Sequence, residues 1–347
     1  MEIEGDFMAD GMENKNKTIA IRVDANDVIA TGHVMRCLAI ARQIRELGGK
    51  CIFFTADSFP VELIKTQGFE VRVLDTLWDD LETEVDEFVE LLEALSVERV
   101  LVDTYQVTRK YLARLRQKAK ITYIDDLYLF DYPVDTVINY ATYCDRFSYT
   151  KAEKTLLGGA YAPLREEFRD KKRVLNRRVS DIMITTGGMD TYNISALLIK
   201  AIRKDKFFDS MRLNVIKGRY NYNVLDDMAD NVVIYKNVNN MAEIMLQNDI
   251  CVCAGGTTLL EVCACKLPAI TFAIADNQLM AIEDFSQQGM MDTVGDIREN
   301  PEETVDNIVR KLRVLCEDYN KRREMAELME EVTDGNGAVR IARSLLE

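Results

Sequence analysis

Short apolar runs alternate with longer amphipathic stretches through most of this chain. Runs over residues 18–23, 51–54, 70–73, 99–102 and 121–124 have the length and composition of buried strands, and the segments between them carry apolar residues at helical spacing. The segment after the first run is the clearest, with Val34, Leu38, Ala41 and Ile44 at a helical period and Gly48-Gly49 as a stop signal. A second cycle follows a charged run at 170–178, with strands predicted over 181–185, 212–216, 232–235, 249–253 and 268–272. Residues 302–347 read as two helices. Strand–helix alternation of this kind predicts mostly parallel sheets with helices on both faces.

The 347-residue length exceeds what one core usually fills. The pattern therefore predicts an α/β chain of two Rossmann-like domains facing each other across a cleft. A flexible tail is expected over 1–17, a first domain over 18–165, a second over 166–330, and a last helix over 331–347 packed back on the first domain. The run at 170–178 reads as a linker or solvated helix end.

Composition narrows the partners. A chain that is 48% hydrophobic and 29% charged, with 5 prolines, has the profile of a folded globular protein. Its formal charge of -14 repels nucleic-acid phosphates and anionic membranes, so neither nucleic-acid binding nor membrane insertion is expected. No segment approaches the ~20 apolar residues of a membrane span. The 8 cysteines, spread through apparent strands and helices without an export signal, read as reduced thiols of a cytoplasmic protein. An anionic ligand would rely on helix N-termini, loop amides and individual basic side chains.

In open parallel sheets, ligands bind beyond the carboxyl ends of the strands, and three loops there are unusual. The first runs from Arg22 and Asp24 through Gly32 and His33 to Arg36, Cys37 and Leu38. Gly32 permits close approach of a ligand to the backbone, and His33, the chain's single histidine, sits where a helix begins. The positive end of that helix disfavours an imidazolium, which suits a general base. The second loop carries Gly187-Gly188 and Asp190, and the third Gly256, Thr257, Thr258 and Glu261; both offer amides to a phosphate. Ordinary turns and a capping box from Thr258 to Glu261 are the competing accounts. Asp276-Asn277-Gln278 follows a further strand, and Tyr105 and Asp125-Asp126 also lie just past strand ends. The paired cysteines at 251/253 and 263/265 lack the spacing of a zinc site. No Gly-X-Ser-X-Gly elbow or Gly-X-Gly-X-X-Gly loop is present at the points that nucleophilic or dinucleotide chemistry requires.

Taken in order, Arg22-X-Asp24, Gly32-His33-X-X-Arg36-Cys37-Leu38, Asp103-X-Tyr105, Asp125-Asp126, Leu157-Gly158-Gly159-X-Tyr161-Ala-Pro-Leu-Arg165-Glu166-Glu167-Phe168, Gly187-Gly188-X-Asp190, Gly256-Thr257-Thr258-X-X-Glu261 and Asp276-Asn277-Gln278 form a pattern. Over roughly residues 18 to 295 it resembles the UDP-sugar hydrolases of pseudaminic acid biosynthesis, which release UDP from UDP-2,4-diacetamido-2,4,6-trideoxy-β-L-altropyranose. That family is related to inverting GT-B glycosyltransferases, including the N-acetylglucosamine-adding enzyme of peptidoglycan synthesis, and resembles spore-coat polysaccharide proteins.

The resemblance implies a GT-B-like fold, the nucleotide held mainly by the second domain, and His33 as the base that activates water for inverting C–O cleavage. By the same resemblance Gly187, Gly188, Asp190, Gly256, Thr257, Thr258 and Glu261 hold UDP. Arg22, Asp24, Gly32, Arg36, Tyr105, Arg165, Glu166, Asp276, Asn277 and Gln278 support the site or touch substrate. The scheme calls for no cofactor and no metal; its partners are the UDP-linked diacetamido-trideoxy sugar and water. Two departures stand out: Ala30 replaces the first glycine of Gly-X-Gly-His, and Asp103-Thr104-Tyr105 lacks a histidine frequent in relatives. An inverting glycosyltransferase using a UDP-sugar donor, and a non-catalytic UDP-sugar binding protein, are the alternative readings.

Overall fold

The structure, a computed structural model, describes residues 17–188, 190–218 and 230–347. The tail expected over 1–17 lies outside the described residues except for Lys17, as does Met189 of the second glycine loop. Two compact units result, one comprising the chain through Arg165 together with Asn336–Glu347, the other Glu166–Gly335. Among the described residues no helix is long and apolar enough to cross a membrane.

The first unit is built on a seven-stranded parallel sheet: β1 (Thr18–Val23), β2 (Lys50–Thr55), β3 (Glu70–Val73), β4 (Arg99–Asp103), β5 (Lys120–Ile124), β6 (Thr136–Asn139) and β7 (Lys154–Leu157). Their spatial order is β3-β2-β1-β4-β5-β6-β7. Central strand β1 is buried along nearly its whole length, because helices cover both faces of a parallel sheet, and its sequence TIAIRV is accordingly almost continuously apolar. Its register pairs Ile21 with Phe53 on one side and with Leu101 on the other. The connection from β1 begins α1 (Gly32–Glu46), which ends before Gly48 at φ 89°.

The second unit repeats the plan with six strands: β8 (Asp181–Thr185), β9 (Arg212–Lys217), β10 (Val232–Lys236), β11 (Ile250–Ala254), β12 (Ala269–Ala273) and β13 (Asp292–Asp296). Their order is β10-β9-β8-β11-β12-β13. In both units the strand order reverses beside the first strand, between β1 and β4 and between β8 and β11. Those are the topological switch points of doubly wound sheets, where flanking loops diverge and leave a crevice.

Three strands escape the sequence reading. β6 and β7 are four residues each, and β13, DTVGD, is half-buried with a glycine at φ 82°, so none shows a distinct apolar run. The C-terminal region holds three helices, not two: Pro301–Glu317, Tyr319–Glu330 and Gly337–Leu346. No glycine or proline marks the first break; instead Asp318 accepts a hydrogen bond from the Lys321 amide at 2.9 Å and starts a new helix. The last helix lies in the first unit, where Gly337 packs so closely on Ala162 that a Cβ would meet its carbonyl oxygen at 2.1 Å.

The charged run at 170–178 is largely exposed but anchored. Arg173 donates to the carbonyl oxygens of Asn248 (2.6 Å), Cys265 (2.7 Å) and Met245, all at helix C-termini, where a cation is favoured. The fully buried Arg322 reaches the carbonyls of Asn176 (3.0 Å) and Arg177 (2.9 Å), pinning the same run from the other side. Replacing Arg173 with Ala removes the donor to three carbonyls and is expected to destabilise the protein by about 2–4 kcal/mol in urea unfolding. Arg173→Lys recovers only part of that, since one ammonium cannot fork to three acceptors.

Candidate active site

The first switch point brings the amino end of α1 against the carboxyl end of β4. His33, Arg36 and Cys37 stand at i, i+3 and i+4 on α1, one face of the helix, and all three converge on Asp103, the last residue of β4. Arg36 donates from Nε to Asp103 Oδ2 (2.6 Å) and from Nη2 to Oδ1, a two-pronged clamp. His33 Nδ1 lies 2.7 Å from Asp103 Oδ1. A carboxylate only accepts, so this contact places the proton on Nδ1 and leaves Nε2 as the ring's free lone pair. Arg36 Nη2, which can only donate, also lies 2.9 Å from Nδ1, but an Nδ1 lone pair set 2.7 Å from a carboxylate oxygen would be repelled, so the Asp103 contact decides the tautomer. The Cys37 thiol completes the set at 3.4 Å from Oδ2.

Burial alone would raise the Asp103 carboxyl, yet Arg36 and His33 together hold it well below the usual carboxylate range. Burial, with Asp103 adding to it, pushes the Cys37 thiol well above its ordinary value, so Cys37 is a packed donor and not a nucleophile. Tyr105 stands edge-on to the His33 ring, with centroids 4.6 Å apart, and its hydroxyl donates to Asp126 Oδ2 at 3.1 Å. Arg36 Nη1 donates to the same Asp126 oxygen at 2.7 Å and to the Tyr140 hydroxyl. His33 is only 7% exposed and Arg36 8%, so the base is held in a nearly dry frame.

Several residues expected to touch substrate are turned inward. Arg22 is fully buried, with Nε and Nη2 each 2.7 Å from the two oxygens of Glu84 and Nη1 on Asp24. Asp24 accepts in addition from the Ala56 amide at 2.7 Å. This pair therefore ties the β1 and β2 loops together and is closed to a ligand. Arg36 is likewise consumed by Asp103, Asp126 and Tyr140 and acts as a positioning residue. Gly32 is exposed with nothing within 4 Å of where a Cβ would stand, so the backbone there is open to approach. Arg165 is half-buried at the end of the first unit, and the exposed Glu166 carboxylate lies 4.0 Å from Arg169.

In the second unit, Gly187 takes φ 83° after β8, a conformation that favours glycine, and Gly188 is exposed. Asp190 does not face outward. Its carboxylate accepts from the Ile194 (2.7 Å) and Ser195 (3.1 Å) amides and so caps the helix Ile194–Ile202. Beside it the buried hydroxyls of Thr186 and Ser195 find no partner among the described residues. After β11, Gly256 and Thr257 are exposed and Thr258 half-buried. The helix Thr258–Ala264 starts at Thr258 itself, with Thr257 at the cap position and making no side-chain cap bond, so the expected capping box does not form. Glu261 is half-buried on that helix. Gly255 admits no side chain, because a Cβ would stand 2.4 Å from Ile282 of the helix Asp276–Gln287. On that helix Asp276 pairs with Arg298, Asn277 is exposed, and Gln278 accepts from the Ile274 amide at 2.9 Å.

Asp103, Asp126 and Glu84 carry the geometry without having been assigned roles from sequence. The first two have a signal, a carboxylate just where a strand ends; Glu84 has none, lying 62 residues from Arg22. Ala30, the departure from Gly-X-Gly-His, has φ 54°, the left-handed region where glycine is at home.

No family model matches the chain. An uncharacterized protein of Methanocaldococcus jannaschii, MJ1062, is 28% identical over 295 residues, 77% of this chain, which spans 58% of that protein. The UDP-2,4-diacetamido-2,4,6-trideoxy-beta-L-altropyranose hydrolase of Campylobacter jejuni is 22% identical over 269 residues, 75% of this chain and 93% of that enzyme. Among solved structures, MurG of Acinetobacter baumannii aligns with a TM-score of 0.70 at 15% identity, covering 95% of this chain and 99% of that one. The calicheamicin glycosyltransferase CalG4 aligns with a TM-score of 0.64 at 13% identity, covering 95% and 97%. The fold is thus that of the GT-B glycosyltransferases.

Two outcomes follow from this geometry. The Asp103 carboxyl is depressed in the folded state, so its contribution to stability is full above the unfolded carboxyl value of about 3.9 and is lost as pH falls through the lower folded value. The stability difference between wild type and Asp103→Asn, from urea titrations, should therefore shrink as pH falls below about 4. Ala30→Gly relieves a left-handed alanine and is expected to stabilise by up to about 1 kcal/mol; a lower melting temperature would contradict that conformation.

Proposed function

We propose that the chain is a nucleotide-sugar hydrolase that releases UDP from a UDP-linked 2,4-diacetamido-2,4,6-trideoxyhexose. The observation that carries the reading is the His33–Asp103 contact at 2.7 Å, which fixes the ring as an Nδ1–H tautomer with Nε2 ready to take a proton. In the proposed reaction Nε2 removes a proton from water as the oxygen attacks the anomeric carbon. The bond from that carbon to the diphosphate oxygen breaks, its electron pair leaves with UDP, and the sugar inverts. Asp103 steadies the imidazolium that forms, as an orienting carboxylate does in other histidine bases.

The second unit takes the nucleotide in this proposal. Support comes from the exposed backbone at Gly188 and at Gly256-Thr257, where the Gly188, Thr257 and Thr258 amides have no hydrogen bond to a described residue and are available to phosphate oxygens. Further support is the 22% identity to the Campylobacter jejuni hydrolase over 93% of its length. A second reading, an inverting glycosyltransferase in which the same base serves a sugar hydroxyl, is favoured by the solved structures, which are glycosyltransferases.

One experiment separates them. Purified protein incubated with the UDP-diacetamido sugar in ¹⁸O-water should yield labelled free sugar and unlabelled UDP without an acceptor. Label in UDP would mean attack at phosphorus, and strict dependence on an added acceptor would favour the transferase. His33→Gln should keep UDP affinity while losing about 10²–10⁴ in turnover.

A further inference from the structure

We propose that Asp126 is a sugar-binding residue whose second carboxylate oxygen accepts a hydrogen bond from the N–H of an acetamido substituent on the departing sugar. This rests on the hydrolase reading above. The argument is one of donor and acceptor accounting. In the His33 cluster, Nδ1 is spent on Asp103, both Asp103 oxygens are taken by Arg36, His33 and Cys37, and Arg36 is divided among Asp103, Asp126 and Tyr140. Asp126 Oδ2 receives both Arg36 Nη1 at 2.7 Å and the Tyr105 hydroxyl at 3.1 Å. Its other oxygen has no hydrogen bond to any described residue, and its side chain keeps 23% exposure where those of Arg36 and Asp103 keep 8% and 0%.

That free acceptor is held close to the base. One guanidinium, Arg36, stands 2.9 Å from His33 Nδ1 and 2.7 Å from Asp126, and one ring, Tyr105, packs edge-on to His33 and bonds Asp126. The turn is fixed from behind. Asp125, fully buried, accepts from the Leu127 (3.0 Å) and Tyr128 (2.8 Å) amides and from the Tyr132 (2.9 Å) and Tyr149 hydroxyls. Leu127, the next residue, is exposed and apolar. A rigid acceptor followed by an apolar side chain suits a group that pairs a donor with a methyl, which is what an acetamido offers and an ester or bare hydroxyl does not.

The test compares wild type and Asp126→Asn on the UDP-diacetamido sugar and on analogues with one acetamido replaced by acetoxy, which keeps the methyl and deletes the N–H. In the variant, Arg36 and Tyr105 claim the amide oxygen, turning the NH₂ outward against the substrate donor. Wild type should lose about 10- to 100-fold in kcat/KM on one of the two acetoxy analogues, the size of a charge-assisted hydrogen bond. Asp126→Asn should show that loss on the parent sugar and no further loss on that analogue, with UDP affinity unchanged. Losses that multiply would mean that Asp126 acts through Arg36 and His33 and would overturn the contact. The same pairs measured as Kd by calorimetry decide the contact without turnover. Absent turnover with a retained affinity difference would sink the hydrolase reading alone, and equal affinities would sink the Asp126 contact.

Discussion

A single buried carboxylate, Asp103, gathers the cationic face of α1 onto the end of β4. It takes two bonds from Arg36, one from His33 and one from Cys37, and each of those donors is itself buried. Such a cluster is stable only when complete, because a guanidinium or carboxylate left alone at this depth has neither water nor a counter-charge. The same bonds that satisfy Asp103 therefore dictate where the imidazole lies, which nitrogen carries the proton and which way Nε2 is offered. Arg36 then extends the frame to Asp126 and Tyr140, so the geometry of the base and that of its surroundings share one guanidinium.

The two units build the loop after their first strand differently. In the first, the loop after the first strand is stiffened by the Arg22–Asp24–Glu84 network and by Asn26, whose side chain accepts from the Val28 (2.8 Å) and Ile29 (2.9 Å) amides. In the second, the corresponding loop keeps two glycines with backbone exposed at Gly188, while Asp190 occupies the helix end behind it. One loop is preorganised around fixed charges and the other around exposed backbone, although the sheets follow the same strand order.

Periodicity in the sequence exposes the long, doubly buried strands and the helix carrying His33, because a central parallel strand must be apolar on both faces. Edge strands β7 and β13 have no such requirement, and β6, though buried, is only four residues long, so all three leave little trace. The site is legible to the extent that chemistry is local: Gly32, His33 and the glycine loops announce themselves at strand ends. What stays hidden is which charges are already spent. Arg22, Arg36 and Asp190 look available in the sequence, and only their distant or buried partners, Glu84, Asp103 and the Ile194 and Ser195 amides, show otherwise. The anchoring of the charged run at 170–178 is hidden for the same reason, since the carbonyls that hold Arg173 belong to residues some 70 or more positions away.

The helix Gly337–Leu346 closes the first unit with a segment that follows the whole second unit in sequence, beside α1 and against Gly49. During synthesis, then, the second unit is complete while the first still lacks a piece of its own core. The helix that carries His33 and Arg36 waits with one side uncovered until Gly337–Leu346 has emerged. The candidate catalytic frame is therefore finished after the module proposed to hold the nucleotide.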